Sequence, residues 1–190
     1  MQKLLLVLAV IAVAYAWRQH SATAFEHPLP LAVERAGDGI RKFEFDRLLD
    51  DGTTFEALAA PGFYTVVEGY TDSCSICRAL ERDLPTLLDA RPDVVVRRVR
   101  FKENGGRQFA GRNAEEIRAA IAAYAEQLKR YRSFHVDGAG DELRIGTCGT
   151  PHVEIYGPDG TLLSTDSCDG TVYKDGLAFL REWIAAEQTL

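Results

Sequence analysis

The sequence predicts an α/β domain, a mixed central sheet flanked by helices in a three-layer α/β/α arrangement, and three observations carry that prediction. Strand-like and helix-like segments alternate through most of the chain and then close as strand, strand, helix, an order that joins a parallel βαβ half to an antiparallel hairpin. Two apolar runs, Tyr64 to Tyr70 and Val94 to Phe101, are rich in valine and read as core strands. The segments between and after them repeat apolar residues at helical spacing.

Taken in order, Ile40 to Phe45 supplies a first strand. Thr53-Thr54-Phe55-Glu56 has capping-box spacing and opens a short helix to Ala60, which Pro61-Gly62 ends. The strand Tyr64 to Tyr70 then leads into Cys74-Ser75-Ile76-Cys77. A helix follows from Arg78 to Leu88, with Leu80, Leu84, Leu87 and Leu88 on one face and Pro85 expected to bend it. After the strand Val94 to Phe101 comes a loop rich in Gly and Arg. Asn113, with Glu116 three residues on, caps a long helix whose stripe is Ile117, Ile121, Tyr124, Leu128 and Tyr131. Val153 to Gly157 and Thr161 to Thr165 flank Pro158-Asp159 as a hairpin. An amphipathic helix from Asp175 to Glu187 closes the chain, with Leu177, Leu180, Trp183 and Ile184 inward.

The 190 residues, 46% hydrophobic and 26% charged, suit one globular domain with a substantial core. A formal charge of −6 and the absence of a long basic run argue against nucleic acid as a partner. The N-terminus has the pattern of an export signal: Met1-Gln2-Lys3, an apolar stretch from Leu4, and small-x-small sites at Ala14-Tyr15-Ala16 and Ala22-Thr23-Ala24. The stretch ends at Trp17, short of the roughly 20 residues that cross a bilayer upright, whereas Trp17 and Arg18 suit an uncleaved anchor. Residues 1–24 are thus expected to be a signal peptide or N-terminal membrane anchor, 25–39 a linker around His27-Pro28-Leu29-Pro30, and 40–190 the domain. Either reading sends the domain out of the cytoplasm, to the periplasm or beyond, where four cysteines can persist as disulfides.

A CxxC between a strand and a helix is a redox device in physical terms. The first cysteine sits at a helix N-terminus, where unpaired N–H groups and the helix dipole favour thiolate, the form that attacks disulfides. Cys74 is therefore the candidate nucleophile, and Cys77, one turn deeper, the resolving thiol. Glu68 lies among Val66, Val67 and Tyr70, so desolvation is expected to raise its pKa. An inward Glu paired with a basic residue is the alternative.

From Ile40 to Glu187 the chain resembles the thioredoxin-like superfamily, and its exported Dsb-type members more than cytosolic thioredoxin. The resemblance rests on the CxxC, on an acid six residues before its first cysteine (Glu68), and on Gly149-Thr150-Pro151 ahead of His152-Val153-Glu154-Ile155-Tyr156, where the family places a cis-proline. It implies the thioredoxin fold, a redox-active Cys74–Cys77 disulfide, proton transfer between Glu68 and Cys77, and a Thr150-Pro151 peptide that pairs with an extended substrate. Two departures stand out. Ser73 replaces the usual Trp, and Ser75-Ile76 is neither the Gly-Pro of thioredoxin nor the Pro-His of the strong oxidant, so the dipeptide does not fix the direction of electron flow.

Folding the hairpin about Pro158-Asp159 pairs residues whose numbers sum to about 317, which sets Cys148 nearly opposite Cys168. A Cys148–Cys168 bridge would close a loop of about 20 residues, worth roughly 3 kcal/mol; it is either structural or a second redox pair. Arg97, Arg98, Arg100, Lys102, Arg107 and Arg112 form the one basic concentration, read as a solvated strand end and loop or as a docking patch for an acidic partner.

The function expected is a thiol-disulfide oxidoreductase acting on protein thiols and disulfides outside the cytoplasm, with no organic cofactor and no metal, and with a membrane redox protein as a possible electron partner. The rival readings are a binding or assembly module with two static bridges, and a copper-handling protein using Cys74 and Cys77 as soft ligands.

Overall fold

The computed structural model of the chain describes residues 39–102, 108–138, 143–165 and 176–187. The expected leader or anchor at 1–24 and the linker up to residue 38 lie outside the described residues, as do Arg107 and Cys168. The elements are β1 (Ile40–Glu44), α1 (Phe45–Asp51), a 3-10 turn (Glu56–Leu58), β2 (Tyr64–Tyr70), α2 (Ser75–Ala90), β3 (Val94–Arg100), α3 (Ala114–Leu128), β4 (Phe134–Asp137), β5 (Arg144–Thr147), β6 (His152–Tyr156), β7 (Leu162–Thr165) and α4 (Gly176–Glu187).

Because side chains alternate along a strand, the paired apolar runs cover both faces of one sheet. Its order is β1-β3-β2-β6-β7. β1 and β2 each run parallel to β3, whereas β6 is antiparallel to β2 and to β7. Val67 and Val99 point to one side, where α1 and α3 contribute Phe45, Leu48, Tyr124 and Leu128. Val66 and Val96 point to the other, against Leu80, Leu84 and Leu87 of α2 and Leu180 of α4. This is the mixed sheet with helices on both faces that the sequence predicts. Each fully buried leucine contributes about 1.5–3 kcal/mol, so the stripe of α2 fixes that helix flat against β2 and β3.

The structure differs from the sequence reading in four places. Phe45 opens α1 instead of ending β1: Phe45, Leu48 and Leu49 recur at helical spacing and are buried, and Gly52, at φ 74°, ends the helix. The segment after Thr54 makes only a 3-10 turn, with the Ala57 N–H on Thr54 Oγ1 at 3.3 Å. Ala60 N–H instead donates to Thr65 Oγ1 at 2.8 Å, which draws the chain into β2 before a second turn can form. α2 begins at Ser75 and runs through Pro85 to Ala90. Finally, β4 and β5 form a separate hairpin that was not expected. Phe134 of β4 enters the aromatic cluster, stacked on Phe45 with ring centroids 4.6 Å apart.

Candidate functional site

The β2–α2 junction carries the cysteines. Thr71 to Cys74 is a tight turn closed by the Cys74 N–H on the Thr71 carbonyl at 3.2 Å. Cys74 is then the N-cap of α2, with extended φ −69° and ψ 107°, and its Sγ accepts the Cys77 N–H at 3.1 Å. Sulfur thus takes the place that a Ser or Asp oxygen holds in an ordinary cap, satisfying one of the helix's orphan donors. Cys74 and Cys77 are joined in a disulfide, Cα to Cα 5.3 Å. Cys74 is partly exposed. Cys77 is only 1% exposed, so an incoming molecule meets Cys74 first.

The segment after β5 approaches this turn. The Thr150–Pro151 peptide is cis, and the hydroxyl oxygens of Thr71 and Thr150 lie 3.5 Å apart. The sequence-predicted residues Cys74, Cys77, Thr150 and Pro151 therefore belong to two adjoining segments at one end of the sheet. Ile76, between the cysteines, is 47% exposed and gives this surface an apolar element.

Glu68 lies beneath. It stands in register with Arg98 of β3, on the face that packs against α2. Arg98 Nε donates to Glu68 Oε2 at 2.6 Å, its NH1 pairs with Glu81 of α2 at 2.7 Å, and its guanidinium lies 4.2 Å from the centre of the Tyr70 ring. Glu81 follows Cys77 by four residues and so shares its helix face. Lys42 Nζ donates to Glu81 at 3.0 Å from β1. Glu68 Oε1 is buried with no hydrogen-bond partner. Burial raises the Glu68 pKa, and Arg98 opposes the rise without cancelling it, since it satisfies one oxygen and leaves the other dry.

A second buried network, not anticipated from the sequence, follows Pro151 on the opposite face of the sheet. His152 Nε2 and Glu154 Oε1 are 3.1 Å apart, the Tyr156 hydroxyl donates to Glu154 Oε2, and Arg132 NH1 lies 3.6 Å from that oxygen. Burial pushes the Glu154 carboxyl up, but its contacts with His152, Tyr156 and Arg132 outweigh this and leave it below its ordinary range. The strict alternation of His152, Glu154 and Tyr156 was the available signal, masked by three polar types on a strand otherwise read as core.

The basic concentration is corrected most. Arg97 and Arg98 are 4% and 1% exposed, not solvated. Arg98 serves Glu68 and Glu81, Arg100 holds Asp72 and Glu44, and Lys102 pairs with Asp46. These four positions form no free basic patch: parallel pairing sets Glu68 beside Arg98 and Glu44 beside Arg100, Arg97 is buried, and Lys102 meets Asp46. The hairpin register is corrected too. β6 and β7 pair Glu154 with Thr165 and Ile155 with Ser164, so the numbers sum to 319, and an irregularity lies between Ile155 and Tyr156. Cys148 does not extend β6 but leaves β5, its N–H bonded to the Ser133 carbonyl at 2.9 Å. No described cysteine is a free thiol, and the expected Cys148–Cys168 bridge lies outside the described residues with Cys168.

No protein-family model and no curated protein matches the chain. Solved structures similar to it include thioredoxin f from spinach chloroplast, short form, at 13% identity and TM-score 0.38 over 80% of this chain and 96% of that one. Thioredoxin f2 from Chlamydomonas reinhardtii is similar at 16% identity and TM-score 0.34, over 76% and 96%. The chain's own architecture is the mixed sheet β1-β3-β2-β6-β7 with helices on both faces; neither a shared fold nor a shared activity follows from likenesses at such distance.

Proposed function

We propose that this chain is a thiol-disulfide oxidoreductase that exchanges disulfides with protein substrates outside the cytoplasm. The observation that carries the reading is the placement of the Cys74–Cys77 disulfide: a partly exposed sulfur as helix N-cap, its partner buried one turn deeper, and the Thr150-Pro151 segment against the same turn.

In the reduced protein the Cys74 thiolate attacks one sulfur of a substrate disulfide, forming a mixed disulfide and releasing the other substrate sulfur as a thiolate that takes a proton from solvent. Cys77, losing its proton, then attacks Cys74 Sγ. The Cys74–Cys77 bond forms, the second substrate thiolate leaves, and two electrons have passed to the substrate. Glu68 Oε1, buried and without a partner, is suited to receive the Cys77 proton. After substrate reduction a dithiol protein, such as a membrane redox protein, resets the enzyme by reducing Cys74–Cys77; in the opposite direction the same steps run backwards and a disulfide-bearing partner protein takes the two electrons and restores the Cys74–Cys77 bond.

The substrate reading is a protein because the surface around Cys74 offers the exposed Ile76 beside the Thr150-Pro151 segment that leads into β6, where an extended polypeptide could lie. The export pattern of residues 1–24 supports a periplasmic or secreted location. The test is reduction of insulin by the dithiol form. Activity lost in Cys74→Ser and retained in Cys148→Ser supports the proposal; equal activity in Cys74→Ser and wild type refutes it.

A further inference from the structure

Two guanidinium groups converge on the turn that delivers Cys74, and neither comes from the turn itself. Arg100, at the end of β3, donates through Nε to both carboxylate oxygens of Asp72, at 3.1 and 3.0 Å, and through NH2 to Oδ2. Arg78, in the first turn of α2, folds back so that its NH1 donates to the Asp72 carbonyl at 2.8 Å. Asp72 is the second residue of the Thr71–Cys74 turn, so one cation grips its side chain and the other its backbone.

The two contacts differ electrically. Arg100 meets an anion and cancels it; accordingly its hydrogen bonds hold the Asp72 carboxyl below its ordinary pKa. Arg78 meets a neutral carbonyl, which leaves its positive charge in place. Arg78 also follows Cys74 by four residues, with its own N–H on the Cys74 carbonyl at 3.2 Å, so it lies on the helix face of the nucleophile. Among the described residues the other charged groups nearby are already paired: Glu44 of β1 lies 3.7 Å from Arg100, Glu81 is held by Arg98 and Lys42, and the buried Glu68 is held by Arg98. Residues 147–151 contain no charged side chain.

Without Arg100, a bare carboxylate two residues before Cys74 would oppose its ionisation; without Arg78, the cation beside it would be gone. Ser75 and Ile76 bring no charge of their own. Resting on the reading of Cys74 as the nucleophile, we propose that Arg100 and Arg78 are positioning residues that set the acidity of Cys74, Arg100 by masking Asp72 and Arg78 by supplying the positive charge that the dipeptide between the cysteines lacks.

The test is the pH dependence of iodoacetamide alkylation of Cys74 in the reduced full-length protein, with the modified residue assigned by peptide mass. Arg100→Gln and Arg78→Gln should each raise the Cys74 pKa by about half a unit, reducing its thiolate fraction about threefold at pH below the pKa. Asp72→Asn should lower it, Asp72→Asn/Arg100→Gln should return close to wild type, and Arg78→Lys should restore most of the Arg78→Gln loss. All three side chains are exposed, and circular dichroism verifies that each variant is folded. A Cys74 that titrates normally but is unmoved by both arginine variants overturns this proposal alone, as does a Cys74 pKa in Asp72→Asn/Arg100→Gln that stays as far above wild type as in Arg100→Gln alone. A wild-type Cys74 that resists alkylation at every pH overturns the oxidoreductase reading, and this proposal with it.

Discussion

Thr71 and Thr150 are 79 positions apart in the chain, and their hydroxyl oxygens lie 3.5 Å from each other. Through that contact the turn that opens the cysteine helix meets the segment that opens β6. The meeting follows from topology: β2 and β6 are antiparallel neighbours, with Gly69 opposite His152, so the chain leaving β2 and the chain entering β6 emerge at the same end of the sheet.

Glu68 gives the fold a pH signature. Its folded pKa is raised by burial, so the folded chain holds this proton more tightly than the unfolded chain does. The resulting stabilisation is complete below the ordinary glutamate pKa of about 4.3 and is lost as pH rises toward the folded value. Urea unfolding of wild type and Glu68→Gln across this range should show the wild type losing stability relative to the variant as pH rises. A gap moving the other way would mean that the Arg98 pair outweighs burial.

Arg98 is 1% exposed and faces two carboxylates. Arg98→Ala would leave Glu68 buried without its cation, and removing one member of a buried pair typically costs about 3–5 kcal/mol. Arg98→Ala/Glu68→Gln should recover part of that loss. Guanidinium denaturation checks both, and additive losses would contradict the coupling.

Gly69 is required by Phe101. A β-carbon at position 69 would stand 2.3 Å from the Phe101 ring, and that ring is held by Phe45 at 5.1 Å and Phe134 at 5.2 Å between centroids. Gly69→Ala should therefore destabilise by about 1–3 kcal/mol through overpacking. Trimming the ring with Phe101→Leu in the same chain should make the alanine less costly, measured by thermal unfolding.

The parts of the fold visible in the sequence are those where local chemistry and tertiary packing agree. The valines of β2 and β3 and the leucine stripe of α2 are core wherever they stand. Asn113 was readable as a cap, and its Oδ1 accepts the N–H groups of both Glu115 and Glu116 at 3.0 Å. α1 was hidden because its three buried residues follow a strand without a break. The β4–β5 hairpin escaped because its strands are four residues each. At the candidate site, Cys74 and Cys77 were singled out by the CxxC between a strand and a helix, and Glu68 by the family resemblance and its apolar neighbours. Arg98, Arg100 and Asp72 were not, since their meaning comes from the β2–β3 register, which places Glu68 opposite Arg98 and Tyr70 opposite Arg100.

The most direct measurement is covalent trapping with Cys77→Ser. With the resolving thiol removed, Cys74 should remain joined to a disulfide-bearing substrate protein, and mapping of the adduct should place the bond at Cys74. An adduct carried by Cys148 instead, or no adduct with any disulfide-bearing protein while Cys74 is reduced, would contradict the account.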